Sequence, residues 1–317
     1  MGTRRRHRGA PVAPLPLRDG VDPTRLVIAA EESGRALGDV LEARFPGTGT
    51  YLAAEFAAGS VVSADGAVLA AATPVADRMP VWLYRRLPEE VEVPFAVRVL
   101  YRDERIVVVD KPHYLATMPR GARVVQSVLV RLRRELDDPR LAPAHRLDRL
   151  TAGVLLFTVD PAVRGAYQQL FASGRARKEY EALAPVRSDL ELPTVVRSRI
   201  AKTPGIMRAY EVDGEPNSES RIELVETLGG YGRYRLLPRT GKTHQLRMHM
   251  CGLGIPIIGD PLYPEQRRVD DADFSDPLRL LARRLAFTDP VDGTEREFVS
   301  LRALDPPQVP AVDAGTP

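Results

Sequence analysis

The chain has 317 residues, 44% of them hydrophobic and 27% charged, which is globular composition and excludes collagen, coiled coil and wholesale disorder. No apolar run approaches the roughly 18–20 residues needed to cross a bilayer, and the Arg-rich start (Arg4, Arg5, Arg6, Arg8) has no apolar core behind it, so it does not read as a secretory signal. One cysteine, Cys251, excludes a disulfide framework and a cysteine-rich zinc site, and a reducing, cytoplasmic setting is expected.

The net charge of +3 is unevenly distributed. Residues 9–90 carry 7 Arg and 11 Asp or Glu, residues 120–250 carry 23 Lys or Arg and 15 Asp or Glu, and residues 251–317 carry 7 and 12. A basic middle between acidic flanks suits a polyanion-binding face, although a charge-rich chain produces such blocks by chance as well.

In chain order, residues 1–20 combine the Arg cluster with Pro11, Pro14 and Pro16 and are expected to form a mobile basic arm. Residues 21–90 read as a small module. Leu37, Val40, Leu41 and Phe45 recur at helical spacing before Pro46-Gly47, and a second helix is predicted over Tyr51 to Ala58. Val61-Val62 and Ala67 to Leu69 flank Asp65-Gly66 as a hairpin. Pro88-Glu89-Glu90 is a linker, and residues 91–305 form the larger domain.

There, Val97–Tyr101 and Ile106–Val109 read as strands, Gln126 to Leu136 as an amphipathic helix, and Val154–Phe157 as a buried strand. Pro161 is expected to open a helix that runs to about Ala172. Glu179–Leu183 and Tyr234–Leu237 are strands, Lys242–Cys251 a helix closed by Gly252, and strands near Arg284–Thr288 and Glu297–Leu301 come last. Residues 306–317 are a disordered tail. Strands and helices do not alternate regularly, so the expected fold class is α+β, a mainly antiparallel mixed sheet with flanking helices.

Three segments can carry chemistry. His145 to Gly153 sets Asp148 between Arg146 and Arg149 just before a buried strand. Such a carboxylate can be a nucleophile, a base or an electrostatic stabiliser; a structural ion pair at a strand start explains it too. Arg239 to His249 puts Lys242, Thr243, His244 and Gln245 around a predicted helix start, where amides and side chains meet anions, with Arg247 on the face of Thr243; a solvated basic helix face is the plainer reading. In Arg177 to Leu183, Tyr180 offers an aromatic face beside Lys178 on which a nucleobase can stack, unless it is a core tyrosine.

Other chemistries fit poorly. Leu236 stands where a phosphate-binding P-loop needs its first Gly before Gly241-Lys242-Thr243. His145, His244, His249 and Cys251 lack metal-ligand spacing, and no Gly-x-Ser-x-Gly occurs.

Taken together, the segments resemble the RluA-type pseudouridine synthase family. The Arg-Leu-Asp loop matches His145–Gly153, the Lys-x-Tyr strand Lys178–Ala182, and the Gly-basic-Thr-His-Gln-x-Arg helix Gly241–Arg247. Lys111-Pro112 and Gly254–Tyr263 complete the order, and the resemblance covers about residues 95–302. It departs at Ala152, Lys242 and Ile255, where Ser, Arg and His are usual.

The resemblance implies isomerisation of uridine to pseudouridine in structured RNA, ribosomal RNA favoured and transfer RNA allowed, with no cofactor or metal. It implies Asp148 as catalytic aspartate, Arg247 as its partner and Tyr180 against the target base. Arg146, Arg149, Lys178, Lys242, Thr243, His244 and Gln245 are the expected substrate-binding residues. Residues 21–90 resemble the RNA-binding module that often precedes this domain, in degenerate form because its basic surface is missing. RNA is the expected partner, without DNA or membrane, and a monomer is the default. A non-catalytic RNA-binding or RNA-chaperone protein on the same fold and an unrelated aspartate-dependent hydrolase are the competing readings.

Overall fold

A computed structural model describes residues 12–306. The chain divides into two compact units, residues 1–89 and 90–317.

The first unit contains β1 (Thr24–Val27), α1 (Leu37–Arg44), α2 (Gly49–Ala57), β2 (Val62–Ser63) and β3 (Pro80–Leu83). The strands form one antiparallel sheet in the order β1-β3-β2, and Leu37, Val40 and Leu41 of α1 join Leu52, Val61, Val81 and Leu83 in its core. The Asp65-Gly66 turn forms, and its limbs bond as a short hairpin, Ser63 N–H to Ala67 O and Leu69 N–H to Val61 O, both 2.9 Å, around the bridge Val62–Val68; β2 pairs with β3 as well.

The proposed arm needs correction. Residues 1–11 lie outside the described residues, whereas Pro16 and Arg18 are held in place. Arg18 bonds both oxygens of the buried Glu55 at 2.5 and 3.0 Å and lies 3.6 Å above the Tyr84 ring. The Tyr84 hydroxyl donates to the Pro16 carbonyl at 2.7 Å. A buried carboxylate needs a cation, and Arg18 supplies it. Of the expected tail, residues 307–317 lie outside the described residues.

The second unit is built on a ten-stranded sheet. It opens with β4 (Arg98–Arg102) and β5 (Ile106–Lys111), then α3 (Val128–Glu135), β6 (Ala142–Pro143), β7 (Ala152–Thr158), α4 (Arg164–Ala172) and β8 (Arg177–Pro185). There follow β9 (Thr194–Ser198), a two-stranded excursion of β10 (Ile200–Ala201) and β11 (Tyr210–Glu211), then β12 (Ser218–Leu228) and β13 (Tyr231–Pro238). Last come α5 (Gln245–Gly252), β14 (Leu280–Thr288) and β15 (Glu295–Val299). The main order is β4-β5-β7-β14-β8-β13-β12-β9, with β6 on β7 and β15 on β14. Among the described residues, β7 and β14 are the only strands of this sheet that pair in parallel, so the mixed, mainly antiparallel sheet with flanking helices is as expected.

Both faces of the central strands are covered, which is why β5 and β7 read as continuous apolar runs. Val128, Leu129 and Leu132 of α3 pack on Val107, Val109, Leu155 and Phe157. Tyr167 and Leu170 of α4 pack on the alternate residues Ile106, Val108, Val154 and Leu156. Leu246 and Met250 of α5 pack on Ala182, Ala184, Ile222, Tyr234 and Leu236, so α5 sits over β8, β12 and β13 of the sheet.

Two helix starts move. Pro161 lies in a turn with Asp160, and α4 begins only at Arg164. The last helix begins at Gln245, because His244 takes a left-handed backbone (φ 57°). Lys242 and Thr243 therefore belong to the turn before it, and Thr243 does not share a helix face with Arg247.

Candidate active site

The loop from Leu147 to Leu150 is fixed carbonyl by carbonyl. Thr117 Oγ1 donates to Leu147 O (2.8 Å) and accepts the Leu147 N–H (3.0 Å). Asp148 O accepts the Thr151 N–H at 3.1 Å. Lys111 Nζ donates to Arg149 O at 3.0 Å, and to Pro112 O and Leu115 O. His113 Nδ1 lies 2.6 Å from Leu150 O and donates to it, since a carbonyl only accepts. With its backbone valences spent inward, the loop turns the Asp148 side chain outward into a cleft.

Lys111 is fully buried, and all three of its ammonium hydrogens are used. Burial pulls its pKa well below the ordinary lysine value, with the Asp148 charge acting the other way. Downstream, β7 passes β14 closely at Gly153 (φ 111°), where a Cβ would lie 2.2 Å from Ala282 O. Only glycine fits.

Opposite the loop, α5 presents Arg247. Its Nε and one terminal nitrogen bond Asp260 at 2.7 and 2.6 Å, both side chains buried, and its other terminal nitrogen lies 3.8 Å from Asp148 Oδ2. His244 Nε2 lies 3.9 Å from the same oxygen. Burial holds the His244 imidazole at about 4, below its ordinary value, so it is neutral at pH 7. Its Nδ1 meets the Tyr263 hydroxyl at 3.1 Å.

From β8, Tyr180 reaches the same cleft, half-buried and packed against the cores on both sides. Burial first, and the Asp148 charge second, push its phenol pKa up, so it stays protonated. Lys178, two residues earlier and so on the same strand face, lines the cleft and bonds Thr240 O at 3.1 Å.

The cleft at the carboxylate is small, about 90 Å³, and it adjoins larger hollows of about 330 and 720 Å³ on either side. Arg146, Asp148, Tyr180, Lys178, Lys242, His244 and Arg247 line it. It continues on one side past Arg120, Arg123 and Arg149, and on the other past Arg239 and Asn217. The result is a trough edged by cations with one carboxylate at its centre. Arg146 is exposed and has no ion-pair partner among the described residues. Arg149 is half-buried in the adjoining part, where burial lowers its pKa.

Two of the expected substrate-binding residues are placed differently. Thr243 is not part of the lining. Gln245 is buried with its amide spent: Oε1 accepts from Thr240 Oγ1 and the Lys242 N–H, and Nε2 donates to Glu219 O and Ser220 Oγ. It shapes the turn that carries Lys242 and has no hydrogen left for a ligand. His145 and His249 are likewise engaged by neighbouring groups. His145 accepts the Leu156 N–H and stacks on Phe171 at 4.1 Å; His249 meets Ser198 and Ser218. Among the described residues, no three His, Cys, Asp or Glu side chains gather as a metal site.

A family model described as RNA pseudouridylate synthase matches residues 105–251. The chain is similar to the dual-specificity RNA pseudouridine synthase RluA of Escherichia coli strain K12, 33% identical over 209 residues, which cover 63% of this chain and 90% of that protein. It is 34% identical over 174 residues to the human pseudouridylate synthase RPUSD2, covering 53% of this chain and 31% of that one. Among solved structures, human RNA pseudouridylate synthase domain containing 1 shares the fold, with a TM-score of 0.51 and 24% identity over 71% of this chain and 90% of that one.

Proposed function

The chain belongs to the RluA-type pseudouridine synthase family, and on that premise we propose that it isomerises particular uridines in structured RNA, ribosomal RNA before transfer RNA, with Asp148 as the catalytic carboxylate. The supporting observation is the single carboxylate at the centre of the trough, with an Arg247 nitrogen 3.8 Å away and Tyr180 beside it.

The reaction breaks the bond from uracil N1 to ribose C1′, turns the base, and joins C5 to C1′; C5 gives up a proton and N1 gains one, so no atom is added or lost. A carboxylate beside the sugar attacks it or takes a proton from it, and the detached base has to be kept from leaving. In this reading the Tyr180 ring holds the base by stacking, and the Arg247 cation orients Asp148 and balances its charge. Arg146, Lys178, Lys242 and Arg149 meet the phosphates and the vacated strand, and Gln245 acts by holding the turn. Extruding a base costs a few kcal/mol, least in a loop, so a loop uridine is the expected target.

We read residues 21–90, with their excess of acids, as positioning RNA more than gripping it. Strong, steeply salt-dependent RNA binding by that fragment alone would overturn this.

The deciding experiment incubates the protein with total RNA from cells lacking the gene and maps pseudouridine site by site. One or a few uridines should convert, and Asp148→Asn should lose at least about 10³-fold in rate while RNA binding persists. Absence of new pseudouridine with the native protein, or normal turnover by Asp148→Asn, would refute the assignment.

A further inference from the structure

The Tyr263 hydroxyl decides which nitrogen of His244 carries the hydrogen. The Ala209 N–H donates to Tyr263 Oη at 2.9 Å, Oη donates to Ala209 O at 2.9 Å, and His244 Nδ1 lies 3.1 Å from Oη. A phenol has one hydrogen and can accept twice. Its hydrogen goes to the carbonyl, which can only accept, and one lone pair takes the amide hydrogen. What remains for Nδ1 is a lone pair, so Nδ1 must bear the hydrogen and donate.

The alternative fails on two counts. A hydroxyl turned toward a bare Nδ1 would leave the buried Ala209 carbonyl without a partner, a loss of about 1–3 kcal/mol. It would also aim an Nε2–H at Asp148 across 3.9 Å, too far for a hydrogen bond. Burial keeps the ring neutral, with one hydrogen to place. His244 Nε2 therefore shows the cleft a lone pair, beside the Asp148 carboxylate.

Two acceptors 3.9 Å apart, with no hydrogen between them, call for a donor from outside. A uridine within an RNA chain has just two, the ribose 2′-hydroxyl and uracil N3–H. If Asp148 acts on the sugar, the donor that reaches this spot is the one on the sugar. We propose that His244 Nε2 accepts the 2′-hydroxyl of the target uridine and is thereby the residue through which the site tells ribose from deoxyribose. This rests on the reading of Asp148 given above.

Two measurements test it. Long-range nitrogen–proton correlation spectra of histidine-labelled protein at neutral pH, with the His244 signals identified by their loss in His244→Gln, should show Nδ1 protonated and Nε2 bare. This needs no RNA, so it stands apart from the functional assignment; a protonated Nε2 overturns the inference. The second uses a hairpin around the mapped uridine, carrying uridine, 2′-deoxyuridine or 3-methyluridine at that position. Binding by the native protein should weaken about tenfold with 2′-deoxyuridine, and the ratio should fall to about one in His244→Phe. No deoxy penalty in the native protein, a penalty that persists in His244→Phe, or a 3-methyl penalty that vanishes in its place would each overturn the inference, while pseudouridine formation on that hairpin would leave the functional reading intact.

Discussion

Arg247 gives Nε and one terminal nitrogen to the two oxygens of Asp260, at 2.7 and 2.6 Å, and leaves the other terminal nitrogen 3.8 Å from Asp148. A guanidinium is a rigid planar fork, so two bonds fix its plane and with it the direction of the third nitrogen. Asp260 is held in turn by the Leu262 and Tyr263 N–H groups, and the Arg247 guanidinium lies 5.3 Å from the centre of the Tyr263 ring. The carboxylate at the centre of the trough thus faces a cation whose aim is set elsewhere, by a second carboxylate that does not line that part of the cleft.

Asp260→Asn should therefore slow turnover without greatly changing RNA affinity. The variant keeps the shape of the side chain but loses the charge opposite a buried guanidinium, a change costing about 3–5 kcal/mol in stability. Below the new melting temperature, kcat should drop by about 10–100-fold, as for residues that orient a catalytic group, with KM within about threefold. Steady-state kinetics beside a thermal melt checks this; an unchanged kcat would show that Arg247 needs no such restraint.

Lys111→Met tests the loop from below. Methionine matches the buried stem but leaves the Pro112, Leu115 and Arg149 carbonyls without their donor. Relief of a buried charge works in the opposite direction. Three orphaned carbonyls at about 1–3 kcal/mol each outweigh it, and a net loss of about 3 kcal/mol is expected in urea unfolding. Activity should fall further than the lost stability explains, because Arg149 O adjoins Asp148. A variant as stable and active as the parent would contradict the carbonyl-by-carbonyl account of the loop.

What the sequence disclosed, and what it hid, follows from where the polar side chains point. The runs in β5 and β7 were legible because both faces are apolar. The longest strand, β12, was missed because its first inward residues are Ser218 and Ser220, which face His249 and Gln245 of α5; a polar layer between strand and helix breaks the alternation that marks a half-buried strand. The same layer explains Gln245, which read as a ligand contact and is a strut. Asp148, Tyr180 and Arg247 stand out in the sequence, and the fold brings the three to one cleft. The role of Asp260 is hidden in the sequence, since its pairing with Arg247 depends on a turn that spacing along the chain does not reveal. Arg18 reads as part of a mobile arm because its partner, Glu55, lies 37 residues away.

Gly153→Ala should be among the most damaging single substitutions. The residue has φ 111°, and an added Cβ would sit 2.2 Å from Ala282 O where β7 pairs with β14. Backbone cannot yield as a side-chain tip can, so strain and lost pairing should together exceed about 4 kcal/mol. Soluble yield and a melting curve report it. A variant within about 1 kcal/mol of the parent would mean that the sheet shifts there at little cost.

The last prediction concerns acid. Burial lowers the pKa of His113, His244 and His249 to about 4 and that of His145 to about 3. Each folded value lies below the unfolded one near 6.5, so on acidification the unfolded chain takes up protons first. The contribution is complete above pH 6.5 and is lost as pH falls from there toward about 4. At about 1.4 kcal/mol per pH unit for each group, even half of the four shifts amounts to several kcal/mol. Urea unfolding at about pH 7.5, 6 and 5 should show a steady fall in stability well before the depressed carboxylates, such as Glu32 at about 2, begin to titrate. A flat profile from pH 7 to 5 would mean that these imidazoles charge within the folded protein at no cost, and the neutral His244 on which the ribose contact depends would go with it.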